Sequence, residues 1–337
     1  MNIYILNTLA IGTDSIELIS KEIKIKGVIG LSDRDKNDKI SDFLYQQDFC
    51  NKLNIPFIEI SSYDMSADAD KKELLKLEID IIIVTGWQRL VPEWLIQHCK
   101  RFVVGSHGSP LGITKGRGRS PQNWALIMGM QEFHISIFQI DKNIDSGKIF
   151  ASKKFNYSEH DDIKTSYYKI SLLTSVMITE LLKSTQNITA LEEQNEAEAE
   201  YFPQRKPEDG EIDWNRSNCE IRNLIRALSH PYPGATSQIS GNKIKIWSAI
   251  PFDIEFPKEN YAVGEVVKVF NKQDVMLRTG ESFMLLNNYE CDVSLKRGDI
   301  LNSANFHEEM QKVIDRHQEK YPELPISSLI KSFSHKN

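Results

Sequence analysis

Residues 79–110 read IDIIIVTGWQRLVPEWLIQHCKRFVVGSHGSP, and this stretch decides the fold. It opens on the most apolar run of the chain, Ile79 to Val84, which predicts a strand buried on both faces. Residues 91–99 then carry helical spacing, and residues 101–105 form a second apolar strand. Continuous apolar strands separated by helices mean a parallel sheet covered on both sides. Ligands of such sheets lie outside the carboxyl ends of the strands. Two of those ends are polar and contain glycine: Thr85-Gly86-Trp87-Gln88-Arg89-Leu90 and Gly105-Ser106-His107-Gly108-Ser109-Pro110. Both are expected to face one crevice, with His107 on a turn just past its strand.

The same alternation extends outward in both directions. Upstream, strands are expected at 3–6, 26–30 and 56–60, with helices at 14–22, 41–53 and 71–77. Downstream come a helix at 121–130 with Trp124 toward the core, a strand at 135–140 and a long helical pattern at 161–183. These make an α/β, Rossmann-like, mostly parallel sheet with helices on both faces over residues 1–200. The acidic run from Glu192 to Glu200 reads as a solvated face and marks the boundary. After a helix at 220–228, short strands are expected at 236–239, 243–247, 265–269, 274–278 and 283–286. They predict a smaller β-rich, barrel-like or sandwich domain over 201–302. Residues 303–337 read as a polar helix and a tail.

Composition narrows the function classes. The chain has 337 residues, 40% apolar and 26% charged, which suits a globular protein with two cores. Its net charge of -6 and pI of 5.8 disfavour a nucleic-acid ligand. Cys50, Cys99, Cys219 and Cys291 are far apart, which predicts buried free thiols and no zinc cluster. No run approaches the roughly 18 apolar residues that span a bilayer, and the first residues lack a secretory pattern, so the cytoplasm is the expected compartment.

Residues 105–149 are the densest in chemistry: GSHGSPLGITKGRGRSPQNWALIMGMQEFHISIFQIDKNIDSGKI. A histidine at a strand end reads as a structural residue or as an acid/base group that titrates near neutral pH. Gly112, Gly116 and Gly118, interleaved with Lys115, Arg117 and Arg119, make a basic loop able to close over an anion. It lacks the spacing of a nucleotide-hydrolysing phosphate loop. Asp145 stands before Ser146-Gly147 and reads as a turn former.

In this order, His107, the RGRSPxNWA loop (117–125) and the Asp-x-Gly-x-Ile run from Asp145 to Ile149 resemble the folate-dependent formyltransferases. That family includes the enzymes acting on methionyl-tRNA, on glycinamide ribonucleotide and on nucleotide-linked amino sugars. The likeness extends to GWQRLVP (86–92), YFPQRKPEDGEIDW (201–214) and IRALSHPYPGA (225–235), and covers roughly residues 1–250. It implies 10-formyltetrahydrofolate as co-substrate and no metal. By match, His107 is the acid/base and oxyanion partner, and Asp145 holds its charge state. Trp87, Gln88, Arg89, Leu90 and Val91, with Ile140, Asp141, Lys142, Asn143 and Ile144, match the pterin cleft. Arg119, Gly108, Ser109, Tyr201, Arg205 and Tyr232 match acceptor-side positions. The family asparagine two residues before the histidine is Gly105 here, and Ser106 is the side chain that could take its place. Asparagine restored at 105 is expected to preserve or raise activity.

The resemblance leaves the acceptor open among three readings. A nucleotide-linked amino sugar of lipopolysaccharide or O-antigen biosynthesis leads, because residues 201–214 and 231–235 look most like the sugar-modifying branch. Methionyl-tRNA is second; that branch carries a basic insertion after the second strand, whereas Leu31 to Phe43 (LSDRDKNDKISDF) balances acids and bases. A folate-binding homologue of low activity is third, motivated by Gly105. The β-rich domain is a candidate homodimer surface.

Overall fold

The computed structural model describes residues 1–32, 40, 42–184, 191–271 and 273–335. In chain order the elements are β1 (Ile3–Asn7), α1 (Gly12–Ser20), β2 (Gly27–Leu31), α2 (Gln47–Leu53), β3 (Phe57–Ile60), α3 (Asp68–Leu74), β4 (Ile81–Gly86), α4 (Glu93–His98), β5 (Phe102–Ser109), β6 (Arg117–Gly118), α5 (Pro121–Ile127), β7 (Glu132–Gln139), β8 (Ile149–Asn156) and α6 (Ile163–Lys183). There follow β9 (Tyr201–Phe202), α7 (Asn218–Ala227), β10 (Ala235–Ile239), β11 (Asn242–Pro251), β12 (Val266–Phe270), β13 (Asp274–Arg278), β14 (Phe283–Cys291), α8 (Phe306–Lys320) and α9 (Ser328–Ser334). Two compact units result. The first holds Met1–Arg117, Glu132–Phe155 and Tyr167–Ala199; the second holds Gly118–Gln131, Asn156–Ser166 and Glu200–Asn337.

The first unit is built on a seven-stranded sheet of order β3-β2-β1-β4-β5-β7-β8. The strands β1 to β5 pair in parallel, and β7 runs antiparallel to β5. Ile81, Ile82 and Ile83 are all 0% exposed, because successive side chains point to opposite faces and both faces are covered. Ile81, Ile83, Val104 and Ile137 pack with Ile16 and Ile19 of α1 and Met177 and Ile178 of α6. Leu6, Ile82 and Val103 pack with Leu74 of α3 and Leu95 of α4 on the other side. Each such side chain contributes about 1.5–3 kcal/mol by leaving water. Strand order reverses between β1 and β4, so the crevice opens at the carboxyl ends of β1, β4 and β5.

Several expectations change. His107 lies inside β5, not on a turn beyond it, because pairing with β7 continues through His107↔Ser136 to Ser109↔His134. The helix expected at 41–53 is confined to α2. Ahead of it, Phe43 bridges Leu9, the Leu44 amide donates to the Thr8 carbonyl and the Asp42 carboxylate accepts from the Ile11 amide; these tertiary contacts override local helical preference. The balanced-charge stretch after the second strand falls largely outside the described residues. The strand β8 escaped the sequence because ASKKFN alternates weakly and carries two lysines, as edge strands do. Of the cysteines, Cys50 and Cys99 are buried, with burial pushing their thiols up to about 11 and about 12, whereas Cys219 is exposed and Cys291 half-buried.

The second unit carries an antiparallel sheet of order β10-β11-β14-β13-β12. Among the described residues no strand pairing closes it into a barrel. Its edges β10 and β12 are instead bridged by the irregular segment 299–302. The Val266 amide donates to the Asp299 carbonyl and the Leu301 amide to the Gly264 carbonyl, while the Asn302 amide donates to the Gln238 carbonyl. Ile221 and Ile225 of α7 enter the sheet's core beside Trp214. The start of α7 is set by a reciprocal cap between Ser217 and Glu220. α5 packs on α7, with Asn123 Nδ2 donating to the Ala227 carbonyl at 2.7 Å, and Trp124 is fully buried as expected. The expected tail ends in α9, whose Phe333 packs edge-on against Phe306 of α8 at 5.2 Å.

Candidate active site

Because His107 follows Gly105 by two residues in β5, its ring stands on the sheet face shared by Gly105 and Phe138. Ser106 takes the opposite face, with Val104 and Ile137. The residue expected to substitute for the family asparagine therefore points away from the histidine. The Gly105 position is closed too. A β-carbon there would lie 2.7 Å from Ile140 Cδ1 and 3.1 Å from Cγ1, so Ile140 already occupies the space an asparagine would need.

Both ring nitrogens of His107 face acceptors. Nδ1 is 3.4 Å from Asp145 Oδ2, and Nε2 is 2.7 Å from the Gly116 carbonyl. The two side chains are only 11% and 21% exposed, so the pair is shielded from bulk water. A neutral imidazole can donate to one of these acceptors, a protonated one to both. Asp145 adopts φ 51°, a left-handed conformation that aspartate tolerates better than most residues. The turn that presents it is held by Asp141, whose carboxylate accepts from the Asn143 amide at 2.9 Å and from Ser146 Oγ at 2.8 Å. Gly147 must be glycine, since a β-carbon would sit 1.7 Å from the Gln139 carbonyl oxygen.

The two segments matched to the pterin cleft come together. Trp87 and Ile140 pack on the same buried cluster. Gln88, Arg89 and Leu90 are exposed, whereas Val91 is buried; Lys142 and Asn143 are exposed and Ile144 is half-buried. Tyr63, which the sequence did not flag, braces the first segment. Its ring meets Trp87 edge-on at 4.7 Å and lies 5.0 Å beneath the Arg89 guanidinium, and its hydroxyl accepts from the Gln88 amide. Trp87 Nε1 and Thr85 Oγ1 are buried with no hydrogen-bond partner among the described residues. Orphaned groups of this kind beside an open turn fit a heteroaromatic ring with donors and acceptors on its edge.

The acceptor-side candidates divide. Gly108 is buried against Phe133, and Ser109 is 0% exposed with Oγ accepting from the Leu111 amide, so both serve local packing. Arg119, Tyr201, Arg205 and Tyr232 belong to the second unit. There the Arg119 amide donates to the Phe202 carbonyl, and the Tyr201 amide to that of Pro325. The Arg205 guanidinium stacks 4.7 Å from the Trp124 ring and donates to the Asp209 carbonyl; burial pushes its pKa down to about 10. The Tyr232 carbonyl accepts from Trp247 Nε1. The acidic run is not merely solvated: Glu196 pairs with Arg117, a cation 0% exposed, and Gln194 binds it as well.

With a shielded His–Asp pair at the carboxyl edge of a switch-point sheet, relatives become informative. Residues 13–182 match the formyl transferase family, and residues 205–305 match the formyl transferase C-terminal domain. The chain belongs to the formyl transferase family. As such it is a folate-dependent formyltransferase. A methionyl-tRNA formyltransferase of Caldanaerobacter subterraneus subsp. tengcongensis is 31% identical over 228 residues, 67% of this chain and 71% of that protein. Two solved structures share the fold. A Helicobacter canadensis N-formyltransferase, in complex with folinic acid and dTDP-3-aminofucose, superposes with a TM-score of 0.58 at 17% identity, covering 86% of this formyltransferase and 100% of that chain. HypX from Aquifex aeolicus in complex with tetrahydrofolic acid gives 0.61 at 16%, covering 97% of this chain but only 48% of that larger protein. No helix among the described residues is long and apolar enough to cross a membrane, and none of their His, Cys, Asp and Glu side chains form a group able to hold a metal.

Proposed function

We propose that this formyltransferase moves the formyl group of 10-formyltetrahydrofolate onto the amine of a nucleotide-linked amino sugar, in the cytoplasm, as a step in lipopolysaccharide or O-antigen assembly. The chemistry is attack of the amine on the formyl carbon, with the amine's proton finally delivered to the departing folate nitrogen. The turn at Trp87 to Val91 and the segment Ile140 to Ile144 hold the pterin ring. His107 offers an N–H to the oxygen that gains charge, and Asp145 stabilises the ring when it is protonated. For this role His107 Nε2 must exchange the Gly116 carbonyl, 2.7 Å away, for that oxygen. The observation that carries the transfer reading is the shielded His107–Asp145 pair, 3.4 Å apart.

The acceptor reading rests on charge. A net charge of -6, with acids and bases balanced from Leu31 to Phe43, suits a small nucleotide-linked acceptor better than a polyanionic tRNA. The second reading, methionyl-tRNA, is favoured by the 31% identical relative. Release of tetrahydrofolate from 10-formyltetrahydrofolate, followed with dTDP- and UDP-linked amino sugars and with methionyl-tRNA offered separately, decides between them. Turnover with an amino sugar alone supports the proposal; turnover with the charged tRNA alone overturns it.

A further inference from the structure

We infer that Gln194, inside the acidic run, is a positioning residue that clamps together the two loops flanking His107. The inference rests on the His107–Asp145 reading of the site. Gln194 Nε2 donates to the carbonyls of Asp145 at 2.8 Å and Gly147 at 2.7 Å. Its Oε1 accepts from Thr114 Oγ1 at 3.1 Å and from Arg117 Nη2 and Nε at 3.0 and 3.3 Å. One amide therefore ties the turn that presents the Asp145 carboxylate to the loop whose Gly116 carbonyl faces His107 Nε2.

No other side-chain type suits both ends. The Asp145 side offers two carbonyl oxygens and requires a donor with two hydrogens. The Arg117 side offers only donors and requires an acceptor. A carboxamide supplies both, whereas glutamate would turn an anionic oxygen toward two carbonyls. Arg117 is the fixed post of the arrangement: fully buried, it is held on its far side by Glu196, with Nη1 donating to Oε2 at 2.8 Å. Nearby, Glu198 pairs with the exposed Lys115 at 3.4 Å and accepts from Asn195 Nδ2 at 3.0 Å.

Groups that orient a catalytic side chain through another group typically change activity by about 10–100-fold when removed. Formyl transfer from 10-formyltetrahydrofolate is measured against pH for the wild type and for Gln194→Ala, Gln194→Glu, Glu198→Ala and His107→Asn, with a thermal melt of each. Gln194→Ala is expected to lower kcat by about 10–100-fold, to leave the folate KM within about threefold, and to displace the limb of the kcat/KM profile that the histidine pair controls. Gln194→Glu keeps the Arg117 and Thr114 contacts but sets an anion against the two carbonyls, so at temperatures where its melt shows it folded it is expected to be as slow as the alanine variant. Glu198→Ala should match the wild type throughout. Wild-type kcat and pH profile in Gln194→Ala or Gln194→Glu, while His107→Asn is inactive, overturns the clamp alone. Full turnover in His107→Asn overturns the site reading beneath it.

Discussion

Placing asparagine at position 105 is the sharpest test of how this site departs from its relatives. A β-carbon at Gly105 falls 2.7 Å from Ile140 Cδ1 and 3.1 Å from Cγ1, whereas carbon atoms rest at about 3.5–4.0 Å. Ile140 must swing by roughly 1 Å or more before the rest of the asparagine is accommodated. Overpacking of this size costs about 1–3 kcal/mol. Ile140 is half-buried and packs on two apolar clusters, one containing Trp87 and Val103 and the other Ile113 and Phe138, so its displacement disturbs the proposed folate-facing segment. Gly105→Asn should therefore destabilise the protein and raise the folate KM rather than increase activity. Ile140→Val removes the atom in closest contact and by itself costs about 0.5–1.5 kcal/mol. In a double-mutant cycle by urea denaturation, the pair should couple favourably by about 1–2 kcal/mol. A Gly105→Asn protein as stable as the wild type, with no coupling to position 140, refutes the steric argument and reinstates a free place for an oxyanion donor.

Three further outcomes are expected. His107→Asn should remove nearly all transfer while the melting curve is unchanged; normal turnover discards the mechanism. Asp145→Asn, which also tolerates φ 51°, should lower kcat by about 10²-fold or more through loss of the carboxylate opposite Nδ1, and retained activity would make Asp145 only a turn former. Asp70 is buried, which would raise its pKa, but the amides and hydroxyls of Ser61 and Ser62 outweigh burial and hold it below 3.8. Its folded pKa is thus depressed, so its stabilisation is full above the unfolded value and lost as pH falls through the folded one. Asp70→Ala should cost about 2–3 kcal/mol at neutral pH and progressively less below pH ~3.8, as followed by acid-dependent denaturation.

The parallel sheet was legible from apolar runs alone, because a strand covered on both faces must be apolar at every position. The runs at 79–84 and 101–105 left little choice. His107 and Asp145 were singled out only by their place in the formyltransferase-like pattern; from local sequence alone they also read as a structural histidine and a turn former. What the sequence could not supply was the face each residue takes and its neighbour from elsewhere in the chain. That Ser106 turns away from His107 follows from a strand continuing four residues further than its apolar run. Only pairing with β7 decides that extension. The conflict at Gly105 involves Ile140, 35 positions away, and is visible only as a distance. Gln194 and Glu196 sit in a run whose composition is that of a solvated surface, yet folding sets them on a buried arginine 77 and 79 positions earlier. Local pattern determined the layers of this protein. The surroundings of the candidate site were decided by side chains brought together through burial of the sheet, where a carbonyl, a guanidinium or a methyl group from a distant segment sets what His107 and Asp145 can do.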